Sequence, residues 1–186
     1  MIRAIIFDCF GVLYRSSADE LYSRCPIDRR DELHDIRLQR DRGIISYHEY
    51  LDVTANLLSM EVDEVRRIAE TSHVRNQELF DFIRTVDRER YSIGMLSNIG
   101  DTTISQLFSD KELDELFDAT VFSYDVGMVK PDPAIFKLMC QKIGCEAEEC
   151  LMIDDIEHNC EGARSVGMQA IQHVSNLETL EVLRGL

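Results

Sequence analysis

The chain has 186 residues, 45% of them apolar, and a formal charge of −15 from 20 basic and 35 acidic side chains. That length suits one ordinary domain or a core with one large insertion, and the apolar content excludes bulk disorder. A pI near 4.7 speaks against a nucleic-acid partner, which needs clustered Lys and Arg. The lack of any apolar run near the ~20 residues of a membrane helix speaks against a membrane partner.

Residues 2–8 form an apolar, β-branched-rich run that predicts a buried strand ending at Asp8. An acid that early also interrupts the apolar stretch of a secretory leader, so the expectation is a soluble cytoplasmic protein. From Ser16 to Arg88 the signals are helical. Ser46-Tyr47-His48-Glu49 has the form of a capping box, and Tyr50, Leu51, Thr54, Leu57 and Leu58 follow at helical spacing. Val62, Val65, Ile68 and Ala69 mark another helix. Leu79, Phe82, Ile83 and Val86 mark a third, with Asn76 as its expected cap. The stretch from Ser16 to Arg42 is read as helical with weaker periodicity.

After Arg90 the rhythm becomes strand–helix alternation. Strands are predicted over 91–96, 119–122, 151–153 and 168–172. The helices between them include one opened by Asp132-Pro133 and a last one opened by Ser175. Repeated βα units imply an α/β fold with a parallel sheet covered on both faces. Charge divides the chain in the same way: residues 15–90 hold 13 of the 20 basic residues, all Arg, and carry only −4, while the remainder carries −11. The expected organisation is a discontinuous core, 1–14 and 88–186, with a helical cap at 15–87. The six cysteines contain no C-x-x-C pair and read as reduced thiols in or near the core.

Ligands of open α/β sheets bind outside the carboxyl ends of the strands. Those ends would carry Asp8, Ser97-Asn98, Lys130-Pro131 and Asp154-Asp155. Three converging carboxylates repel one another unless a cation joins them, and oxygen-only donors favour a hard ion such as Mg²⁺. A cation, a lysine and an open carboxylate together suit attack on a phosphoryl centre.

Phe7-Asp8-Cys9-Phe10-Gly11-Val12-Leu13, Met95-Leu96-Ser97-Asn98, Val129-Lys130-Pro131-Asp132-Pro133 and Met152-Ile153-Asp154-Asp155 resemble, in order, the four motifs of the haloacid dehalogenase-like hydrolases. The resemblance implies a Rossmann-like core with an inserted helical-bundle cap. It implies Asp8 as a nucleophile that forms an aspartyl-phosphate. Mg²⁺ would be held by Asp8, the carbonyl of Phe10 and Asp155, with Asp154 acting on it directly or through water. Ser97 and Asn98 would bind phosphoryl oxygens, Lys130 would offset the charge, and Asn159 would orient the acidic pair. The expected partner is a small phosphorylated metabolite, and the expected assembly a monomer or weak homodimer.

One position departs from the pattern. Family phosphatases usually carry a second Asp two residues after the nucleophile, as general acid and base; here it is Phe10. The dehalogenase branch has an aromatic residue there, but it lacks the acidic pair that this chain keeps as Asp154-Asp155. The alternatives are therefore a metal-independent 2-haloacid dehalogenase and a catalytically weak protein that binds a phosphorylated ligand or a partner. Phe10 is expected to pack at the cap–core junction. Arg15 and Tyr14, just past the first motif, are expected to reach substrate. His34 and His48 are candidate substitutes for the missing acid. Arg29, Arg30, Arg37, Arg40 and Arg42 read as a solvated, acid-laced helix face or as a fork for an anionic substrate.

Overall fold

The computed structural model describes residues 1–15, 18–71 and 73–186. Among the described residues, five short strands, β1 (Ala4–Phe7), β2 (Ser92–Ser97), β3 (Ala119–Phe122), β4 (Cys150–Asp154) and β5 (Gln169–Gln172), pair in parallel in the order β3-β2-β1-β4-β5. β1 and β4 are buried at every position, which requires cover on both faces. The period of two sorts their side chains. Ile5, Phe7, Ile93, Met95, Leu151 and Ile153 lie in one apolar cluster with α5 (Gln77–Thr85), α7 (Asp110–Leu116) and α11 (Asn176–Arg184). Ala4, Ile6, Leu96 and Met152 lie in the other, with α9 (Pro133–Ile143) and α10 (Glu157–Ser165).

The chain runs outward from β1 to β2, through α6 (Asp101–Leu107) and α7 to β3 and the short α8 (Ser123–Val126), then returns past β1 to form β4 and β5. Crossover direction therefore reverses between β1 and β4, the position at which open parallel sheets leave a crevice for ligands. Asp8 and the pair Asp154-Asp155 flank that crevice.

Between β1 and α5, four helices share an apolar cluster of their own. They are α1 (Ala18–Arg24), α2 (Arg30–Asp41), α3 (Tyr47–Leu58) and α4 (Val62–Thr71), and Leu33, Ile36, Tyr50, Leu51, Val65 and Ile68 are among the residues they bury together. The capping box of α3 forms as predicted: Ser46 Oγ accepts the Glu49 N–H at 3.2 Å and Glu49 accepts the Ser46 N–H at 2.8 Å. No helix among the described residues is long and apolar enough to cross a membrane. All six cysteines are free thiols, five of them buried.

Three expectations are corrected. The stretch read as helical from Ser16 to Arg42 is two helices separated by Pro26 and a 3₁₀ turn, because Pro cannot continue α1; its start at Ser16 lies outside the described residues. The insertion expected to reach residue 87 includes α5, yet Leu79, Phe80 and Ile83 pack with the sheet, not with the four helices. Asn76 stands immediately before α5, and its side chain makes no capping hydrogen bond. Its side-chain N–H groups go instead to the Val12 carbonyl, at 2.8 Å, and to Asn176. The reason is geometric: chain leaving and chain returning run side by side here. Arg15 N–H bonds Val74 O, Asn76 N–H bonds Leu13 O, and Tyr14 pairs antiparallel with Arg75.

Candidate active site

The residue after β1, Asp8, is buried, and its Oδ1 accepts the Cys9 N–H at 2.7 Å. The same oxygen lies 2.8 Å from Lys130 Nζ, which also reaches Asp154 Oδ2 at 2.6 Å. Lys130 enters from the loop before α9, and its backbone is clamped by Asn98, whose Oδ1 accepts the Lys130 N–H at 2.8 Å while Nδ2 donates to the Lys130 carbonyl at 3.0 Å. At the end of β4, Asp154 is wholly buried. Its Oδ1 accepts from Asn159 Nδ2 at 2.9 Å and from the Ile156 N–H at 3.0 Å. Asp155 completes the cluster, with carboxylate oxygens of Asp8, Asp154 and Asp155 within 4.8 Å of one another. A Cβ at Gly11 would fall inside the Asp155 carboxylate, so the first motif needs glycine there for close approach as well as for its φ of +84°.

Burial pushes the Asp8 carboxyl well above its ordinary range, against the opposing pull of Lys130. Burial alone would depress the Lys130 ammonium, but Asp154 and Asp8 outweigh it and hold the ammonium above its usual value. Three carboxylates, two of them buried, converge beside one ammonium. That donor set, all oxygen and anionic, fits a hard divalent cation. Beside the cluster, Ser97 is wholly buried at the end of β2, and its Oγ has no hydrogen-bond partner among the described residues. A hydroxyl left in that state is costly unless a ligand supplies the bond.

A cavity of about 250 Å³ adjoins the cluster. Its core side is Asp8, Phe10, Asn98, Lys130 and Asp155, and its far side is His34, Arg37, Leu38 and Asp41 of α2. Phe10 is half-buried and packs against His73, ring centroids 5.1 Å apart, so it sits at the junction of helices and sheet.

Several sequence-predicted residues fall elsewhere. Arg15 is exposed and lines a separate hollow beyond Asp155, with Val74 and Asn76. Tyr14 is buried and donates its hydroxyl to the Leu107 carbonyl at 3.0 Å. Neither lines the cavity over Asp8, because the crossing chains tie this segment into the core. Asn98 borders the cavity, but both ends of its amide are spent on the Lys130 backbone, which makes it a positioning group. His48 is exposed beside Asp52. Among the arginines, Arg29 pairs with Glu32 and Arg30 and Arg42 are exposed, while Arg37 borders the cavity. Arg40 is neither solvated nor a fork: it pairs with buried Asp41 at 2.7 Å, covers the Tyr50 ring at 4.6 Å and rests on Gly100.

Asp41, Leu38 and Ile156, which line the cavity, were not legible as site residues. The sequence signal available for Asp41 was weak: an acid eight residues after buried Leu33 and five after buried Ile36, on a helix whose charges mask which face turns inward.

Residues 2–167 match the haloacid dehalogenase-like hydrolase family. The chain belongs to that family. It is 28% identical over 181 residues to drimenol cyclase drtB of Aspergillus calidoustus, covering 92% of this chain and 34% of that one. It is 28% identical over 91 residues to pyrophosphatase PpaX of Bacillus cereus, covering 49% and 42%. The chain thus spans well under half the length of these two relatives. Among solved structures, a family enzyme of Bacteroides thetaiotaomicron in complex with magnesium and inorganic phosphate superposes with a TM-score of 0.77 at 23% identity, covering 97% of this chain and 99% of that one. The parallel-sheet α/β fold expected from the sequence is therefore the fold of the family.

Proposed function

We propose that this protein is a Mg²⁺-dependent phosphoester hydrolase acting on a small phosphorylated metabolite through an aspartyl-phosphate on Asp8. The observation that carries the reading is the buried lysine shared by Asp8 and Asp154, with Asp155 completing a three-carboxylate cluster beside an unpaired serine hydroxyl. Asp8, the Phe10 carbonyl and Asp155 would hold the ion. Asp154, whose oxygens are already engaged by Lys130, Asn159 and the Ile156 N–H, would act through water. When bound, Mg²⁺ supplies neutralisation of charge on the phosphoryl oxygens.

The chain's own residues do the rest. Asp8 Oδ1 is held by the Cys9 N–H and Lys130, which leaves Oδ2 for attack on phosphorus. That attack forms the aspartyl-phosphate and releases the ester oxygen. Lys130 offsets charge on nucleophile and phosphoryl group together. Ser97 Oγ donates to a phosphoryl oxygen. Water then attacks phosphorus, freeing phosphate and restoring the Asp8 carboxylate. Helices α1–α4 act as a cap, and α2 shields the intermediate with Leu38 while presenting His34, Arg37 and Asp41 to the rest of the substrate. With Phe10 in place of an acid, the first step favours esters whose alkoxide leaves without a proton.

The test is steady-state hydrolysis of a phosphate-ester panel with Mg²⁺ or EDTA. Phosphate release that requires Mg²⁺ and vanishes in Asp8→Asn supports the reading; turnover unchanged in Asp8→Asn overturns it. Halide release from 2-haloacids in EDTA would instead establish the dehalogenase reading.

A further inference from the structure

At the other end of β4 from Asp154, three cysteines gather between that strand and α9. Cys150 opens β4 and is wholly buried, and its Sγ lies 3.9 Å from Cys140 Sγ on the last turns of α9. Cys140 retains a little exposure and borders an open hollow of about 520 Å³ with Lys137, Gln141, Cys145 and Glu146. Both thiols are buried, but Cys140 lines the hollow and Cys150 does not, so the pair is approached from the Cys140 side. No polar group of the acid cluster is near, since Cys150 and Asp154 are four residues apart along a strand, about 13 Å.

We propose that Cys140 and Cys150 form a thiol pair that hydroperoxides convert to a reversible disulfide, with Cys140 the thiol oxidised first and Cys150 the resolving one. The Cys140 thiolate attacks one peroxide oxygen, the O–O bond breaks, and the departing oxygen leaves as water, or as an alcohol from an organic peroxide. Cys140 then carries a sulfenic acid. Cys150 Sγ loses its proton and attacks the Cys140 sulfur; the S–O bond breaks and a water leaves. Two thiols lose two electrons and the peroxide gains them.

The pair is built for that order. The hydrogen bond with Cys150 holds the Cys140 thiol below its ordinary pKa, whereas the same contact, with burial, pushes Cys150 far up. The thiol that lines the hollow and has the lower pKa is the one that peroxide meets first. Closing 3.9 Å to a bond of about 2.0 Å needs an approach of about 1.9 Å, within reach of side-chain rotation and a small shift of a helix end. Cys145, the half-exposed third thiol, is the competing partner.

The experiment is treatment of the intact protein with one equivalent of hydrogen peroxide, alkylation of remaining thiols, and digestion with trypsin and a Glu-specific protease. These cuts put Cys140 in residues 138–142, Cys145 in 143–146, Cys150 in 150–157 and Cys160 in 158–161. The expected product is 138–142 joined to 150–157 and released by dithiothreitol. Cys145→Ser should retain it, and Cys150→Ser should leave Cys140 as a sulfenic acid trapped by dimedone. A bridge between Cys140 and Cys145, loss of the cross-link in Cys145→Ser, or Cys140 recovered alkylated after peroxide overturns the proposal. The readout is a mass, so its failure is separate from any failure of the phosphatase reading.

Discussion

Lys130 Nζ lies 2.8 Å from Asp8 Oδ1 and 2.6 Å from Asp154 Oδ2, so one buried ammonium bridges the ends of two neighbouring strands. Its removal leaves buried carboxylates facing each other without a counter-charge. Lys130→Met is expected to destabilise the fold by about 3–5 kcal/mol in metal-free urea unfolding, and millimolar Mg²⁺ should recover part of that loss. Equal midpoints for variant and parent would show that the bridge contributes no net stability.

Gly11 is required twice, by its positive φ and by the carboxylate lying against it. Gly11→Ala should lower stability by about 1–3 kcal/mol and displace Asp155. Mg²⁺-induced thermal stabilisation should therefore weaken more than the melting temperature alone predicts. A variant with unchanged Mg²⁺ dependence would remove Asp155 from the cation site.

On the proposed phosphatase reading Phe10 stands where a general acid would act, and the consequence is selective. Phe10→Asp should raise turnover of alkyl phosphates by about tenfold or more, and that of aryl phosphates much less, because only the former need a proton on the leaving oxygen. Equal gains on both classes would point to a change in packing against His73, not to acid catalysis.

His173 is half-buried, with Nδ1 2.8 Å from Thr179 Oγ1. Burial holds its pKa below the ordinary 6.5. The unfolded chain therefore takes up a proton before the folded one does, and stability is full above pH 6.5 and declines as pH falls toward the folded value. His173→Gln should flatten that slope in melting temperatures taken across the weakly acidic range; an unaltered slope would assign it to other groups.

The capping box at the start of α3 is local and exposed. Ser46→Ala should cost about 1 kcal/mol in urea unfolding while leaving Mg²⁺-dependent stabilisation intact.

The positions of Asp8, Ser97 and Asp154-Asp155 were legible because each is a polar residue that ends an apolar strand, and strand ends in a parallel sheet share one edge; Lys130, expected at the end of the third strand, comes instead from the loop before α9, eight residues past β3. The capping box was legible because it is encoded within four residues. What stayed hidden depends on contacts between distant segments. Asn98 looked like a phosphate binder, yet its amide matches the Lys130 backbone, a pairing across 32 residues. Arg40 looked like one charge among many until Tyr50 and Gly100 placed it inside. α5 has the same amphipathic pattern as the helices before it, and periodicity says that a face is buried without saying against what.

The paired backbone at Leu13–Arg15 and Val74–Asn76 has a consequence for how this chain was assembled. A segment whose two ends already lie hydrogen-bonded to each other is a loop closed at its base, and the entropy of such a loop grows only with the logarithm of its length. The helices between those ends can lengthen, shorten or be exchanged with little penalty to the sheet. Replacing them with a short turn across Arg15 and Val74 should leave a core that still folds, with its acid cluster open to water. On the proposed function, substrate choice and catalytic chemistry would thus reside in parts of the molecule that can change independently.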